Sequence, residues 1–253
     1  MLATMRDLGR RERLETAARN AGVLDRVGFH TLDVTNAEQI DALATVVANR
    51  TGPLNALINN AGFAMAGFAD EITDAELRLQ FETNFFGATA VTRAFLPQFR
   101  RQRSGHIVMV SSVSGLISFP GVGSYAASKF ALEGWTETLR FELKSQGIQV
   151  ALVEPGPFET DIWTRNATIA ARMLEVGSPD AARTAKWRAR IETGKPKGNP
   201  QIVADAIANI VQNPRPRLRT VLGKEAKIGL FMRRILPSAL FESILLKNSG
   251  VDG

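Results

Sequence analysis

The chain has 253 residues, with 31 Lys and Arg against 25 Asp and Glu, a formal charge of +6, 45% apolar residues and no cysteine. This composition supplies a sizeable core and excludes a broadly disordered chain or a disulfide scaffold. No apolar run reaches membrane-spanning length and the start, MLATMRDLGRRER, lacks a secretory signal; basic residues are interspersed with acids, so a cytoplasmic protein without a nucleic-acid partner is expected.

In chain order, Leu2 to Met5 and Gly28 to Leu32 read as strands, with a helical pattern from Arg10 to Ala21 between them. Leu54 to Ile58, Ile107 to Val110 and Val150 to Val153 are short runs rich in Val, Ile and Leu, each followed by Gly, Ser or Pro, as in strands buried on both faces. Thr73-Asp74-Ala75-Glu76 fits a capping box, and Leu77, Phe81, Phe85, Phe95 and Leu96 continue a helical region to about Arg100. Ser124 to Lys144 and Ile202 to Val211 are further predicted helices, and Leu218 to Leu222 a last strand. The alternation predicts one α/β domain over 1–253, a Rossmann-like, doubly wound parallel sheet with helices on both faces.

Two segments stand apart. Phe158 to Asn199, with Trp163, Met173, Leu174 and Trp187 among charges, follows a strand's carboxyl end and is expected to be a substrate lid or an ordinary surface excursion. Lys224 to Lys247 has apolar residues near helical spacing around Arg233, Arg234 and Pro237. It is expected to form a helix pair over the core or the substrate mouth, cations outward, with membrane-surface contact as the alternative.

Tyr125 and Lys129 lie four apart on a predicted helix, so phenol and ammonium share a face. An ammonium favours the phenolate and moves a phenol's pKa from near 10 toward the working range. Such pairs also occur on solvated helices. Ser112, just past the strand Ile107 to Val110, stands where a hydroxyl can bond a substrate oxygen; Ser111 is the alternative, and either can simply cap a turn. Asn84 falls inside a predicted helix, where an amide usually faces water.

Together these residues resemble the short-chain dehydrogenase/reductase family, from about Leu2 to Thr160 and more loosely to the end. The motifs are Asp33-Val34, Asn59-Asn60-Ala61-Gly62, Asn84, the VSS turn, Tyr125-Ala126-Ala127-Ser128-Lys129, and Pro155-Gly156 with Thr160; Ser112 stands thirteen residues before Tyr125, the family spacing. The resemblance implies Tyr125 as general acid/base, Lys129 on the nicotinamide ribose and lowering the phenol's pKa, Ser112 on the substrate oxygen, and Asn84 positioning a relay water. It implies Asn60, Ala61 and Gly62 beside the adenine ribose, although a strand-end turn also explains Gly62. Asp33 and Val34 would lie on adenine, and Pro155, Gly156, Phe158 and Thr160 about the carboxamide; no metal is implied.

Ala3 to Leu8 and Ser128 to Gly134 are similar to the estradiol 17-beta-dehydrogenase and retinol-dehydrogenase-like branch. There the arginine matching Arg6 faces the adenosine 2′-phosphate, so NADP(H) is expected over NAD(H), unless Arg6 is merely solvent-exposed. The implied reaction interconverts a hydrophobic secondary alcohol and its ketone or aldehyde, steroid-, retinoid- or acyl-like, in a homodimer or tetramer. The family's first strand and TGxxxGxG turn find no match. The chain is therefore expected to start inside a strand, with the missing segment encoded upstream of Met1 and cofactor binding weakened without it. A silent relative acting through its dimer surface is the alternative.

Overall fold

A computed structural model describes residues 1–175, 181–193 and 198–249. Its strands and helices alternate: β1 Leu2–Met5, α1 Glu12–Asn20, β2 Gly28–Thr31, α2 Ala37–Ala48, β3 Ala56–Asn59, β4 Ala64–Ala66, α3 Asp74–Phe81, α4 Ala88–Gln102, β5 Gly105–Val110, α5 Gly123–Leu143 and β6 Ile148–Pro155. After β6 come β7 Ala167–Ile169, α6 Ala181–Thr193, α7 Gln201–Gln212, β8 Arg219–Leu222, α8 Lys224–Ile235 and α9 Ser238–Ser249. All strand pairings are parallel, in the order β3-β5-β6-β8 for the four-stranded sheet, with β1-β2 and β4-β7 as separate pairs. Among the described residues no strand pairs with the second edge of β1 or of β3.

The central strands form because both faces are covered. Ile107, Met109, Val150 and Leu152 pack with Phe95, Phe99, Leu132, Leu139 and Leu143 of α4 and α5, whereas Val108, Ala151 and Val153 meet Ile207 and Ile210 of α7. Each of these side chains except Ala151 contributes about 1.5–3 kcal/mol by leaving water. Gly105 makes the first cluster possible: at a φ of 123°, a Cβ there would stand 2.5 Å from Phe99 Cε1, so only glycine lets α4 turn so tightly into β5.

Several expected boundaries move for local reasons. The strand expected from Leu54 begins at Ala56, because the Gln102 side chain takes both backbone groups of Leu54, accepting from its N–H at 3.1 Å and donating to its carbonyl at 2.7 Å. The long helix after Thr73 does open with the capping box. It is interrupted by one wide π-turn at Glu82–Gly87, which the 3.6-residue spacing did not reveal. α2, capped by the Asn36 side chain on Gln39 N, was not anticipated.

The segment after β6 folds back through the β4-β7 pair, and Trp163, Met173 and Trp187 join Ala66, Phe68, Val122 and Tyr125 in a separate apolar cluster. The C-terminal segment forms two helices, and the exposed Arg233 hydrogen-bonds the Leu116 carbonyl through its guanidinium, tying α8 to the turn after Ser112.

Candidate active site

Four polar side chains meet between β5, the π-turn and the first two turns of α5. Tyr125 is 4% exposed, and the Ser112 hydroxyl hydrogen-bonds its phenol. Ser112 also caps the short 3-10 turn Val113–Gly115 by accepting from Ser114 N at 3.1 Å. The turn cap is thus present, and the same hydroxyl faces the phenol. Ser111 turns instead toward Glu133, which separates the two serines.

Lys129 follows one turn along α5, its Nζ donating to the Val110 carbonyl at 2.9 Å and lying 5.8 Å from the Tyr125 ring centroid. The expected lowering of the phenol's pKa is not what this arrangement produces. Burial dominates and pushes Tyr125 up to about 12, with the Ser112 hydrogen bond opposing it. Burial likewise draws Lys129 down to about 8, opposed by Glu133. The physical reason is that the enclosed apolar cluster disfavours every charged form. Trp163 closes on the phenol edge-on at 5.5 Å, with Trp187 behind it at 6.2 Å.

Asn84, expected in a helix where an amide faces water, is 1% exposed because the π-turn swings it inward. Its Oδ1 accepts from Phe63 N at 3.1 Å, and its Nδ2 donates to Phe63 O at 3.0 Å and Ser128 Oγ at 3.1 Å. An amide has two donors and two lone pairs. Asn84 therefore clamps the loop after β3 to α5 and keeps one lone pair for a further donor. Gln80 reinforces that clamp, accepting from Met65 N and donating to Phe63 O. Sequence reasoning missed Gln80, whose 0% exposure nothing in a helical pattern discloses. It also gave Ser128 no role beyond the motif, although Ser128 donates to Tyr125 O at 2.7 Å.

The motif residues named for a dinucleotide divide into two groups. Asn60, Ala61 and Gly62 follow the carboxyl end of β3. A Cβ on Gly62 would lie 3.1 Å from Asn84 Oδ1 and 3.8 Å from Lys129 Nζ, so the bare backbone leaves a cradle faced by an ammonium donor, which suits a hydroxylated ribose. Gly156 N is tied to Leu222 O, and Thr160 is exposed at the start of the turn bearing Trp163. Pro155 ends β6, but Phe158 is buried against Gly198 and Gly223, which makes its ring a packing element.

At the opposite end, burial raises the Asp33 carboxyl, but hydrogen bonds from the Thr35 N–H and hydroxyl and the charge of Arg6 leave it below the usual carboxylate range. Val34 packs on Gly87 of the π-turn, and Arg6 is exposed. The bare backbone at Gly62 beside the Lys129 ammonium thus fits the ribose of a nicotinamide nucleotide.

Residues 4–169 match the family described as short chain dehydrogenase, and the chain belongs to that family, whose members are dehydrogenases and reductases of CH–OH groups. It is 37% identical to human retinol dehydrogenase 8 over 225 residues, 87% of this chain and 71% of that one. The structure superposes on a short-chain dehydrogenase from Streptomyces avermitilis with a TM-score of 0.81 at 33% identity, over 98% of this chain and 86% of that chain. It also superposes on a short-chain dehydrogenase/reductase from Burkholderia phymatum in complex with NAD, with a TM-score of 0.73 at 26% identity over 97% and 85% of the two chains.

Proposed function

We propose that this protein is an NADP(H)-dependent oxidoreductase interconverting a hydrophobic secondary alcohol with its ketone, or the corresponding primary alcohol with its aldehyde. The observation that carries this reading is the buried Tyr125 phenol, bonded to Ser112 and one turn from Lys129, under the apolar cover of Trp163, Met173 and Trp187. A steroid-, retinoid- or acyl-like substrate fits such a cover, and the likeness to a retinol dehydrogenase supports it. The cofactor, when bound, supplies or accepts the hydride.

In reduction, Ser112 donates to the substrate carbonyl oxygen and Tyr125 gives it the phenolic proton, leaving the phenolate; in oxidation, the Tyr125 phenolate takes the hydroxyl proton and becomes the phenol. A phenol held near 12 keeps its proton at neutral pH, the form that reduction requires. Lys129 would hold the ribose hydroxyls of the bound cofactor and, as an ammonium, stabilises the phenolate left after transfer. Asn84 offers its remaining Oδ1 lone pair to a relay water. Of the lid expected over 158–199, parts of which (176–180 and 194–197) lie outside the described residues, Trp163, Met173 and Trp187 cover the phenol and exclude other water. The test is NADPH consumption on addition of apolar aldehydes and ketones.

Preference for NADP(H) rests on Arg6, whose charge reaches Asp33 at the adenine end and would instead meet a 2′-phosphate. Arg6→Ala is expected to weaken NADPH far more than NADH, by about 1–3 kcal/mol for a lost charge-assisted contact. Isothermal titration with both nucleotides measures it, and equal losses would make Arg6 indifferent to the phosphate.

The helices bearing Asn84 and Tyr125 also present exposed Leu79, Phe86, Phe130 and Phe141, an apolar face suited to an isologous homo-oligomer. Sedimentation is expected to show a dimer or tetramer, and a strict monomer at high concentration counts against this.

A further inference from the structure

One turn beyond Lys129 on α5, Glu133 is 4% exposed, and Glu154 on β6 is wholly buried. Both converge on a single guanidinium. Arg219 Nε, from β8, lies 3.1 Å from Glu133 Oε2 and 3.3 Å from Glu154 Oε1, while its Nη2 meets Glu137 Oε2 at 3.0 Å. Glu137 reaches solvent, so part of that positive charge is drawn outward. Beyond the Arg219 ion pair, Glu133 Oε1 and both oxygens of Glu154 make no well-formed hydrogen bond among the described residues, and the Ser111 hydroxyl, which faces Glu133, is unsatisfied as well.

Two carboxylates buried against one shared guanidinium leave a negative charge that a low-dielectric interior opposes. A proton between the orphan oxygens removes that charge and gives each carboxyl a partner. Burial, the leading influence on both groups, pushes Glu133 up and Glu154 up to about 8.

We propose that Glu133 and Glu154 share one proton, that it leaves to solvent past the Arg219–Glu137 edge as pH rises, and that the charge uncovered holds Lys129 in its ammonium form. Glu133 is then a positioning residue, acting on Tyr125 through Lys129; this rests on the role given to Lys129 above. Around Lys129, α5 brings Tyr125 and Glu133, the π-turn brings Asn84, and the end of β5 brings the Val110 carbonyl and the two serines. Glu133 is the carboxylate that opposes the effect of burial on the ammonium. The charged groups around the pair itself are Lys129 and Glu137 on α5 and Arg219 on β8.

The test is a titration of the cofactor-free protein labelled with 13Cε-lysine, the Lys129 signal being assigned by its loss in Lys129→Arg. Glu133→Gln is expected to lower the Lys129 midpoint by about one pH unit, a tenfold change in its ionisation constant, and Glu133→Asp, which keeps the charge, to restore most of it. Glu154→Gln provides a second readout should Glu133→Gln fail to fold. A carboxyl whose folded pKa is near 8 and whose unfolded value is about 4.3 stabilises the fold fully at low pH. That stability is lost as pH rises through the folded value, so the wild-type Tm falls between about pH 5 and pH 8, and Glu154→Gln flattens the fall.

An unmoved Lys129 midpoint in Glu133→Gln, no recovery in Glu133→Asp, or an unchanged Tm slope in Glu154→Gln overturns the proposal. None of these readouts uses turnover. Failure of the catalytic reading, seen as full activity in Tyr125→Phe, is therefore distinguishable from failure of the proton-sharing pair.

Discussion

Tyr125→Phe is expected to lower turnover at least about a hundredfold while the fold stays intact, because it removes the transferable proton and leaves the ring. The ring is what the surroundings hold: it packs edge-on against Trp163 and belongs to the cluster of Val122, Ala170 and Met173. The hydroxyl's partner, Ser112, keeps its contact with Ser114 N, so no buried donor network collapses. Steady-state kinetics with circular dichroism as the control measures this. A variant with kcat near wild type would remove Tyr125 from the chemistry.

Asn84→Ala is expected to cost about 2–4 kcal/mol of stability, an effect larger than the removal of one ordinary hydrogen bond. The substitution leaves Phe63 N without its acceptor and withdraws the Nδ2 donor from both Phe63 O and the buried Ser128 Oγ. Phe63 O retains Gln80 and Ser128 retains Tyr125 O, which keeps the loss within that range. Urea denaturation measures it. A loss under about 0.5 kcal/mol, the size of a surface substitution, would show that the clamp adds little and leave Asn84 only its water-positioning role.

The parts of this protein legible in its sequence are those whose signal is local. Ile107 to Val110 and Val150 to Val153 sit in strands because short uninterrupted apolar runs have few alternatives to a doubly covered sheet, and Tyr125 and Lys129 meet because helical spacing sets their separation. β6 nevertheless runs from Ile148 to Pro155, past the polar Gln149 and Glu154. Glu154 reads as a surface residue by type, and only the ladder to β8, with Arg219 beside it, shows otherwise. Glu133 and Arg219 are 86 residues apart in the chain, and no periodicity connects them.

The same limit explains Asn84. A π-turn inserts extra backbone into a helix without altering the apolar spacing enough to read, yet that insertion turns a solvent-facing position into a buried clamp. The β4-β7 pair, three residues on each side, is too short to carry a strand signal. The depth to which Tyr125 is buried depends on that pairing, as does the outcome that desolvation rather than Lys129 governs the phenol.

The most direct test of the central claim is isotope transfer from NADPH carrying two deuterium atoms at C4 to an apolar aldehyde or ketone, with the product alcohol read by mass spectrometry. Hydride transfer at this site predicts one deuterium on the carbinol carbon with the wild-type protein, and an initial rate of labelling at least about a hundredfold lower with Tyr125→Phe. Absence of labelled alcohol from the wild-type protein across such carbonyl compounds, or equal labelling by Tyr125→Phe, would contradict it.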